Sequence, residues 1–497
     1  MPGESYTYSF NVNDSPGFYL YHGHHHAQRG DGLSGPFIIE DPAESLRTAS
    51  WDAEYSLMIQ DWYHERADVI VAGLDHVPFK WADDPQSILI NGKGKFNESV
   101  GENEHVGVVR GQTVLMRLVN AGVLSYLNVE IENHNLTVIE ADGQPIEPIT
   151  VPNLDINIGE RYVVLVTMDQ PPAVYDMRAS VKYRNERVGI AQIAYEGATG
   201  EAAHPELESD DLLGEQTEYE GDVQAAPLHV GSQSILDPRL FVGASDMPAD
   251  MAHYDEELII DGRQAVGSDN RTRWPLNNHT PNKGWLAARR NVLPAGPTPN
   301  TWRYPYGTVL DIVLQNFPAG NRVVEQHPWH LHGHSFYVLG YGPGRFNRTE
   351  HEGLLNLKNP PLRDMVTAFP DGNNSWVAPR YQHWRSEPSG WAVVRVRLDN
   401  PGHWMVHCHI AWHMAMEMFG FIITDPADAP GSPTPRLPAD FPQCMHNQTA
   451  RKPATNGTDG VARELDDSSA AGPPCWRAAV SASIASLFLL PMAFLMA

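Results

Sequence analysis

Histidine pairs separated by a single residue are the strongest chemical signal in this 497-residue sequence. In an extended strand, residues i and i+2 point to the same face, so each pair can present two imidazoles to a shared site. Three such pairs occur, namely His22 with His24, His330 with His332, and His407 with His409. Because imidazole nitrogens are common ligands of transition metals, the three pairs together predict a metal cluster.

A lone thiol indicates a second metal site next to the first. Cys408 stands inside the third histidine pair, so its side chain must project to the opposite face of the strand. His327, His413 and Met418 can join it there. Two imidazoles, a thiolate and a weak axial thioether are the donor set of a blue-copper electron-transfer site. The peptide path from Cys408 to its two neighbouring histidines would connect that site to the cluster.

Zinc is the chemical competitor for these residues, because it is also bound by cysteine and histidine. A structural zinc site needs no axial methionine and no second metal site on the other face of the same strand. A single His-x-His pair arises often by chance, but three pairs together with His-Cys-His-x-x-x-His-x-x-x-x-Met favour copper.

The composition restricts the class of protein. With 61 acidic and 35 basic residues the formal charge is -26, which repels phosphate backbones and argues against nucleic-acid binding. The chain is 42% hydrophobic and 9% aromatic and contains 41 Gly and 40 Pro. These values describe a turn-rich globular protein rather than a disordered or collagen-like one. Only three cysteines are present, so at most one disulfide can form within the chain.

The segments that must hold the ligands read as strands. Residues 106–119, 161–168, 308–315 and 391–398 are rich in Val, Ile, Leu and Thr and are bounded by turn residues. Long helical periodicity is scarce, so an all-β fold of sandwiches is predicted. The tripeptide Thr113-Val114-Leu115 recurs as Thr308-Val309-Leu310, and each copy precedes a histidine-bearing strand, which indicates domain duplication.

Both ends of the chain bear on its location. The first residues contain no secretory signal. The C-terminus has small residues, a spacer and an uncharged apolar run over 478–497, which is the pattern of a glycolipid (GPI) anchor signal. A retained membrane helix is the alternative.

Nine Asn-x-Ser/Thr acceptor sequences also favour an extracellular glycoprotein, at Asn13, Asn97, Asn135, Asn270, Asn278, Asn347, Asn373, Asn447 and Asn456. We therefore expect an extracellular protein held at the cell surface or cell wall.

The metal motifs resemble those of multicopper oxidases, the family of laccases, ascorbate oxidases and ferroxidases. The resemblance rests on Tyr21-His22-Gly23-His24, on 327–334 and on His407-Cys408-His409-Ile410. Further similarity at 81–92, 338–342 and 355–363 is closest to ascorbate oxidases.

The resemblance implies tandem cupredoxin-like Greek-key β-sandwich domains. The expected division is a remnant of a first domain at 1–42, a second domain at 43–198, an acidic linker at 199–253, a third domain at 254–425, an extension at 426–470 and the spacer with its tail at 471–497.

The resemblance also implies the copper ligands, with four coppers in a full-length parent and no other cofactor. Type 1 copper would be bound by His327, Cys408 and His413, with Met418 axial. Type 2 copper would be bound by His330. The type 3 pair would be bound by His22, His24, His332, His407 and His409.

The implied reaction is the oxidation of a small reductant of the ascorbate or phenol type, one electron at a time, with dioxygen reduced to water at the cluster. Electrons would pass through Cys408 and the exposed edge of His413, and Trp81 would form an aromatic wall of the donor site. One alternative is a ferroxidase for iron uptake, with Asp364, Asp83 and Asp84 as acids for Fe(II). Another is an inactive copper-binding surface fragment. The partners are otherwise the electron donor, dioxygen and, through the tail alone, a membrane.

Four departures from the family pattern accompany the resemblance. The family's fourth His-x-His pair is not in this sequence, which predicts an N-terminally truncated chain with impaired oxygen reduction. The family disulfide partner of Cys444 is missing as well. Ala411 replaces an acid thought to supply protons, and Glu417 replaces a glycine beside the axial ligand.

Overall fold

The structure is a computed structural model, and it describes most of the chain between residues 16 and 424. The described residues are 16–25, 27–40, 50–96, 100–182, 184, 187–198, 235–236, 238–281, 299–370 and 386–424, with residues 7, 10 and 12. The predicted anchor signal, the C-terminal extension, Cys444, Cys475 and most of the acidic linker lie outside them. No helix in the described part of the chain has both the length and the apolarity that crossing a bilayer requires.

The chain divides into two compact units. One comprises Val12–Ser432 and Phe494–Ala497 and contains every helix and strand given below. The other comprises Met1–Asn11 and Pro433–Ala493, of which the structure describes residues 7 and 10.

A two-stranded ribbon carries the first histidine pair. It consists of β1 (Gly17–His22) and β2 (Ser34–Ile39), and a 3-10 turn (Gln28–Asp31) lies between them. The strands are antiparallel, and Phe18 and Leu20 of β1 are buried against the first sandwich described below. His22 therefore stands at the end of an anchored strand, and His24 follows in the connection.

Residues 53–195 form a first sandwich of two six-stranded sheets, joined by Ile235–Leu236. The strand orders are β4-β3-β6-β11-β8-β9 and β14-β10-β7-β12-β13-β5. Alternating Val, Ile and Leu side chains from the two sheets meet in one hydrophobic core. The strands are β3 (Ala53–Trp62), β4 (Ser87–Ile90), β5 (Glu104–Val108), β6 (Thr113–Asn120), β7 (Leu127–Ile131), β8 (Leu136–Ala141), β9 (Gln144–Val151), β10 (Asn153–Ile156), β11 (Arg161–Thr167), β12 (Val174–Val181), β13 (Val188–Tyr195) and β14 (Ile235–Leu236). Helix α1 (Ala67–Leu74) follows β3.

Residues 256–424 form a second sandwich of two five-stranded sheets. The strand orders are β15-β19-β24-β21-β22 and β18-β26-β25-β20-β23, and β16 pairs with β17 in a separate hairpin. The strands are β15 (Glu256–Gly262), β16 (Ala265–Val266), β17 (Thr272–Arg273), β18 (Thr301–Tyr304), β19 (Val309–Asn316), β20 (His327–Leu331), β21 (Phe336–Pro343), β22 (Leu362–Arg363), β23 (Met365–Ala368), β24 (Gly390–Arg397), β25 (Gly402–Cys408) and β26 (Phe419–Thr424). The helices are α2 (Arg348–His351) and α3 (Ala411–Ala415), and short 3-10 turns occur at Pro238–Leu240, Ala249–Met251 and Glu352–Leu354.

The all-β prediction is confirmed. The strands predicted at 161–168, 308–315 and 391–398 correspond to β11, β19 and β24 within a residue or so. The prediction of a single strand over 106–119 is wrong, because this segment is divided into β5 and β6. Gly111 has φ 91°, a conformation that favours glycine and that turns the chain between the two strands.

One strand pair brings the second and third ligand motifs together. β20 and β25 are antiparallel neighbours, and the register places His330 opposite His407 and Trp329 opposite Cys408. The third motif continues from β25 into α3, whose residues include His413. Ligands about 80 positions apart in the sequence therefore become neighbours through β-sheet pairing.

Candidate metal centre

A buried group of two imidazoles and one thiol lies at the start of β20 and the end of β25. Sγ of Cys408 is 3.6 Å from Nδ1 of His327 and 3.8 Å from Nδ1 of His413, and the two Nδ1 atoms are 3.2 Å apart. None of the three side chains is more than 1% exposed. Burial raises the pKa of the Cys408 thiol and lowers the pKa of His327 well below its ordinary value. A bound metal cation would reverse the first effect, because a coordinating thiol is deprotonated.

Met418 is attached to this group through its backbone. Its N–H donates to the carbonyl of His413 over 3.0 Å, and its carbonyl accepts from the N–H of Cys408 over 3.1 Å. Its side chain is fully buried beside Gly262, where a Cβ atom would lie 2.5 Å from Cε of Met418. The predicted axial ligand is thus connected to two of the other predicted ligands.

The second ring nitrogen of His413 faces a carboxylate rather than solvent. Nε2 of His413 lies 2.8 Å from Oε2 of Glu325. Oε1 of Glu325 accepts from Arg184 over 2.5 Å, and Arg184 lies 3.6 Å from Asp84. Burial acts to raise the pKa of the Glu325 carboxyl, but the charges of Arg184 and His413 prevail and hold it well below its ordinary value. The exposed edge expected for His413 is not found, since only 1% of the residue is exposed.

Two tryptophans flank this side of the group. The Trp81 ring, predicted to form an aromatic wall of the donor site, is half-buried, and its centroid is 6.1 Å from that of His413. The guanidinium of Arg184 lies over the Trp81 ring, 5.8 Å from its centroid. The Trp274 ring lies 4.8 Å from both His327 and His413. Sequence reasoning missed Trp274 and Glu325. An acid two positions before His327 was a usable signal for Glu325, whereas no ligand spacing marks Trp274.

Three imidazoles from three distant segments form a second group. Nε2 of His407 is 2.9 Å from Nε2 of His332 and 3.4 Å from Nε2 of His24. Nδ1 of His407 must donate to the carbonyl of Cys408, 3.0 Å away, because a carbonyl only accepts. Neutral His407 therefore directs an unprotonated Nε2 into the group. Burial lowers the pKa of His24 to about 4 and keeps the imidazoles neutral at pH 7.

The remaining three histidines of the pairs adjoin this group. Ring centroids lie within 6.0 Å of one another in a closed sequence of neighbours that runs from His22 to His24, His332, His330, His409 and back to His22. Nδ1 of His330 donates to the carbonyl of Asp364 over 2.8 Å. Its buried Nε2 has no hydrogen-bond partner among the described residues. The six imidazoles predicted to bind type 2 and type 3 copper therefore converge.

A buried arginine contacts this ring of histidines. Arg29, on the 3-10 turn after the first pair, donates to Nδ1 of His409 over 2.6 Å and to the carbonyl of His409 over 2.5 Å. Burial lowers the pKa of Arg29 to about 10. No metal-ligand spacing in the sequence pointed to this residue.

The carboxylate of Asp364, for which a catalytic role is predicted, is bonded to an arginine. Both carboxylate oxygens accept from Arg161, over 2.7 and 2.6 Å. Its peptide carbonyl orients His330. The carboxylate is thus used in an ion pair between the two sandwiches, and the contribution of Asp364 to the site is to position a ligand.

The donor sets fit copper. Thiolate with two imidazoles suits a type 1 site, and groups of neutral imidazoles suit the other copper types. The unpartnered Nε2 of His330 and the close approach of Nε2 atoms from His332 and His407 both leave lone pairs that a cation would satisfy.

Comparisons with known proteins agree with this geometry. Family profiles described as multicopper oxidase match residues 1–44, 53–198, 267–386 and 374–428. The chain is 31% identical to the L-ascorbate oxidase of Brassica rapa subsp. pekinensis, over 84% of this chain and 76% of that protein. It is 32% identical to the L-ascorbate oxidase of Cucumis sativus, over 84% and 74%.

Solved structures share the fold. Fet3p, a multicopper oxidase that functions in iron import, superposes with a TM-score of 0.64 and 22% identity, over 84% of this chain and 74% of that chain. The laccase from Botrytis aclada gives a TM-score of 0.61 and 25% identity, over 82% and 70%. With three family profiles across the chain and ascorbate oxidases above 30% identity, the chain belongs to the multicopper oxidase family as an ascorbate oxidase-like oxidoreductase.

Proposed function

We propose that the protein is a copper-dependent oxidase that couples the one-electron oxidation of a small organic reductant, of the ascorbate or phenol type, to the reduction of dioxygen to water. The observation that carries this proposal is the double role of His413. Its Nδ1 belongs to the buried thiol group, and its Nε2 contacts Glu325 on the side of Trp81 and Arg184. One ring therefore connects a metal-binding group to a partly accessible polar cluster.

In this proposal the copper sites follow the predicted ligand sets. His327, Cys408, His413 and Met418 would hold type 1 copper, and His330 would contribute to type 2 copper. His22, His24, His332, His407 and His409 would contribute to the type 3 pair. Copper, when bound, supplies the one-electron chemistry and the oxygen chemistry. The protein supplies the connection, because Cys408 is covalently joined to a histidine on either side.

The residues around Glu325 suit an organic donor. The Arg184 side chain is 15% exposed, and its guanidinium lies over the half-buried Trp81 ring, 5.8 Å from the ring centroid. The guanidinium can donate a hydrogen bond to an anionic enediol such as ascorbate, and the Trp81 ring can contact a planar donor. Oε2 of Glu325 lies 2.8 Å from Nε2 of His413, and this contact would help to hold the ring in place while the donor binds.

A ferroxidase is the second candidate, and the FET5 protein of Saccharomyces cerevisiae, named an iron transport multicopper oxidase, is 27% identical over 86% of this chain and 66% of that protein. Two of the three acids considered for Fe(II) have arginine partners. Asp364 is bonded to Arg161, and Asp84 faces Arg184. Because Arg161 occupies both carboxylate oxygens of Asp364, this acid is not free to bind Fe(II), and the organic donor is favoured.

We also propose that the protein acts outside the cell, held at the surface by its C-terminal tail. The asparagines of four Asn-x-Ser/Thr sequences in the described residues are exposed, which suits glycosylation. They are Asn135, Asn270, Asn278 and Asn347.

The test is oxygen uptake by copper-loaded protein with ascorbate, a neutral phenol or Fe(II) as the donor, together with copper stoichiometry and visible absorption. We expect a blue protein that consumes oxygen fastest with an organic donor. Cys408→Ser is the matched control, and it should lose both the blue colour and the turnover. Faster turnover with Fe(II) would favour the ferroxidase, and a blue protein without oxygen uptake would favour the inactive copper-binding protein.

A further inference from the structure

Glu417 is a non-glycine residue in a backbone conformation that usually requires glycine. Its φ is 77°, in the left-handed region, and it directly precedes Met418. Side chains with a Cβ atom rarely adopt this conformation, because the Cβ crowds the following carbonyl. Only 4% of Glu417 is exposed, so a carboxylate is also buried here. Both features are unfavourable unless a specific contact compensates for them.

The compensating contact is an ion pair with the β16–β17 hairpin. Nε of Arg273, the last residue of β17, donates to Oε1 of Glu417 over 3.1 Å. The same guanidinium donates to both carboxylate oxygens of Asp269, over 2.7 and 2.6 Å. Arg273 is thus held by Asp269 on one side and binds Glu417 with its remaining edge.

A second bond fixes the same loop to the same hairpin. The N–H of Trp274, which follows Arg273, donates to the carbonyl of Met416 over 2.7 Å. The loop from His413 to Met418 is therefore attached to the hairpin at residues 416 and 417. At its two ends this loop carries a ligand of the buried thiol group and the predicted axial ligand.

The space for Met418 is defined from the opposite side by Gly262. A Cβ atom at this position would lie 2.5 Å from Cε of Met418, which is shorter than real Cβ contacts, so the Met418 side chain would have to move. The end of the Met418 side chain therefore lies against Gly262, the last residue of β15. Because Met418 directly follows Glu417, a displacement of residue 417 would shift Met418.

We propose that Glu417 is a positioning residue for the axial ligand, and that its ion pair with Arg273 sets the position of Met418 at type 1 copper. This inference rests on the proposed function, because it assumes a type 1 copper held by Cys408 and its neighbours. The axial ligand tunes the reduction potential of such a site, so the ion pair tunes the potential without touching the metal.

The test uses the copper-loaded full chain with Glu417→Gln, Arg273→Gln and the double variant. The measurements are the equilibrium constant for reduction of type 1 copper by a redox mediator, the visible and electron paramagnetic resonance spectra of that copper, and the unfolding temperature. Gly262→Ala is the positive control, since it displaces Met418 directly. Arg271→Gln is the matched negative control, because it removes an exposed ion pair with Asp75 from the same hairpin.

We expect each single variant to change the reduction equilibrium constant by at least about threefold and to alter the type 1 spectra, as Gly262→Ala does. The double variant should change the reduction equilibrium constant no more than either single variant, because both substitutions remove the same ion pair. Unchanged spectra and potential with only a lower unfolding temperature would overturn the inference, and so would additive effects. A wild-type protein without any type 1 signal would instead refute the proposed function, so the two failures are distinguishable.

Discussion

His413 and Glu325 lie 2.8 Å apart, Nε2 to Oε2, although they are separated by 88 positions in the sequence. The contact places a carboxylate against the outer nitrogen of a ring whose inner nitrogen faces Cys408. Arg184 then partners Glu325 and completes a charged cluster beside Trp81. Under the proposed function, an electron donor would therefore meet Arg184, Glu325 and Trp81 rather than an exposed imidazole edge.

Arg184→Gln should weaken the binding of anionic donors more than that of neutral ones. Loss of a partly exposed charged hydrogen bond costs about 1 kcal/mol, so KM for ascorbate should rise roughly fivefold while KM for a neutral phenol changes little. Steady-state oxygen uptake measures both. Arg345→Gln, which removes an exposed arginine paired with Glu387, is the control. Equal changes for the two donors would show that Arg184 does not select by charge.

Arg161→Gln should destabilise the fold strongly. Arg161 is fully buried and binds Asp364 with two hydrogen bonds, so the substitution leaves a largely buried carboxylate without its partner. Breaking such a pair costs about 3–5 kcal/mol. Urea denaturation of the copper-free protein measures the free energy of unfolding.

The control for that substitution is Arg66→Gln, which removes an exposed ion pair with Asp68. It should cost at most about 1 kcal/mol. Similar losses for the two variants would contradict the importance assigned to the contact between the sandwiches.

The decrease in the free energy of unfolding at alkaline pH, the alkaline limb of the stability profile, should depend on Tyr19 and Tyr304. Burial raises the pKa of both phenols from 10.0 to about 12. In Tyr19 the nearby carboxylate of Asp364 contributes to this increase. Between these values the unfolded chain has lost protons that the folded protein still holds, so the free energy of unfolding falls as pH rises from 10 to 12. Their contribution is fully present below pH 10.

Tyr19→Phe and Tyr304→Phe should each reduce that slope, since each removes one proton from the difference between the two states. Thermal unfolding at several pH values between 9 and 12 measures it. A slope that neither substitution changes would assign the alkaline limb to other groups.

The four exposed acceptor asparagines should carry N-linked glycans when the protein is secreted from a eukaryotic host. Asn135, Asn270, Asn278 and Asn347 are accessible on the folded surface. Treatment with an endoglycosidase should lower the mass of the protein. Substitution of each asparagine by Gln should lower the mass by that of one glycan. Buried Asn120, which lies outside any acceptor sequence, provides the unmodified control peptide. An unchanged mass would argue against the extracellular proposal.

The sequence by itself determined the ligand types, the all-β class and the separation of the cysteine from its flanking histidines, because side-chain alternation along a strand is a local property. It did not determine which imidazoles meet. His24, His332 and His407 form one group only because a ribbon connection and two antiparallel strands lie side by side.

The tertiary structure also decided what surrounds the ligands. The burial of His413 behind Glu325, the use of the Asp364 carboxylate by Arg161 and the ion pair of Glu417 with Arg273 join residues that are 88, 203 and 144 positions apart. Such contacts depend on the packing of the two sandwiches and of the hairpin, and no local pattern encodes the partner of a charged side chain. The order of the residues therefore predicted the chemical groups of the site, whereas the residues that cover and contact these groups were identified only from the fold.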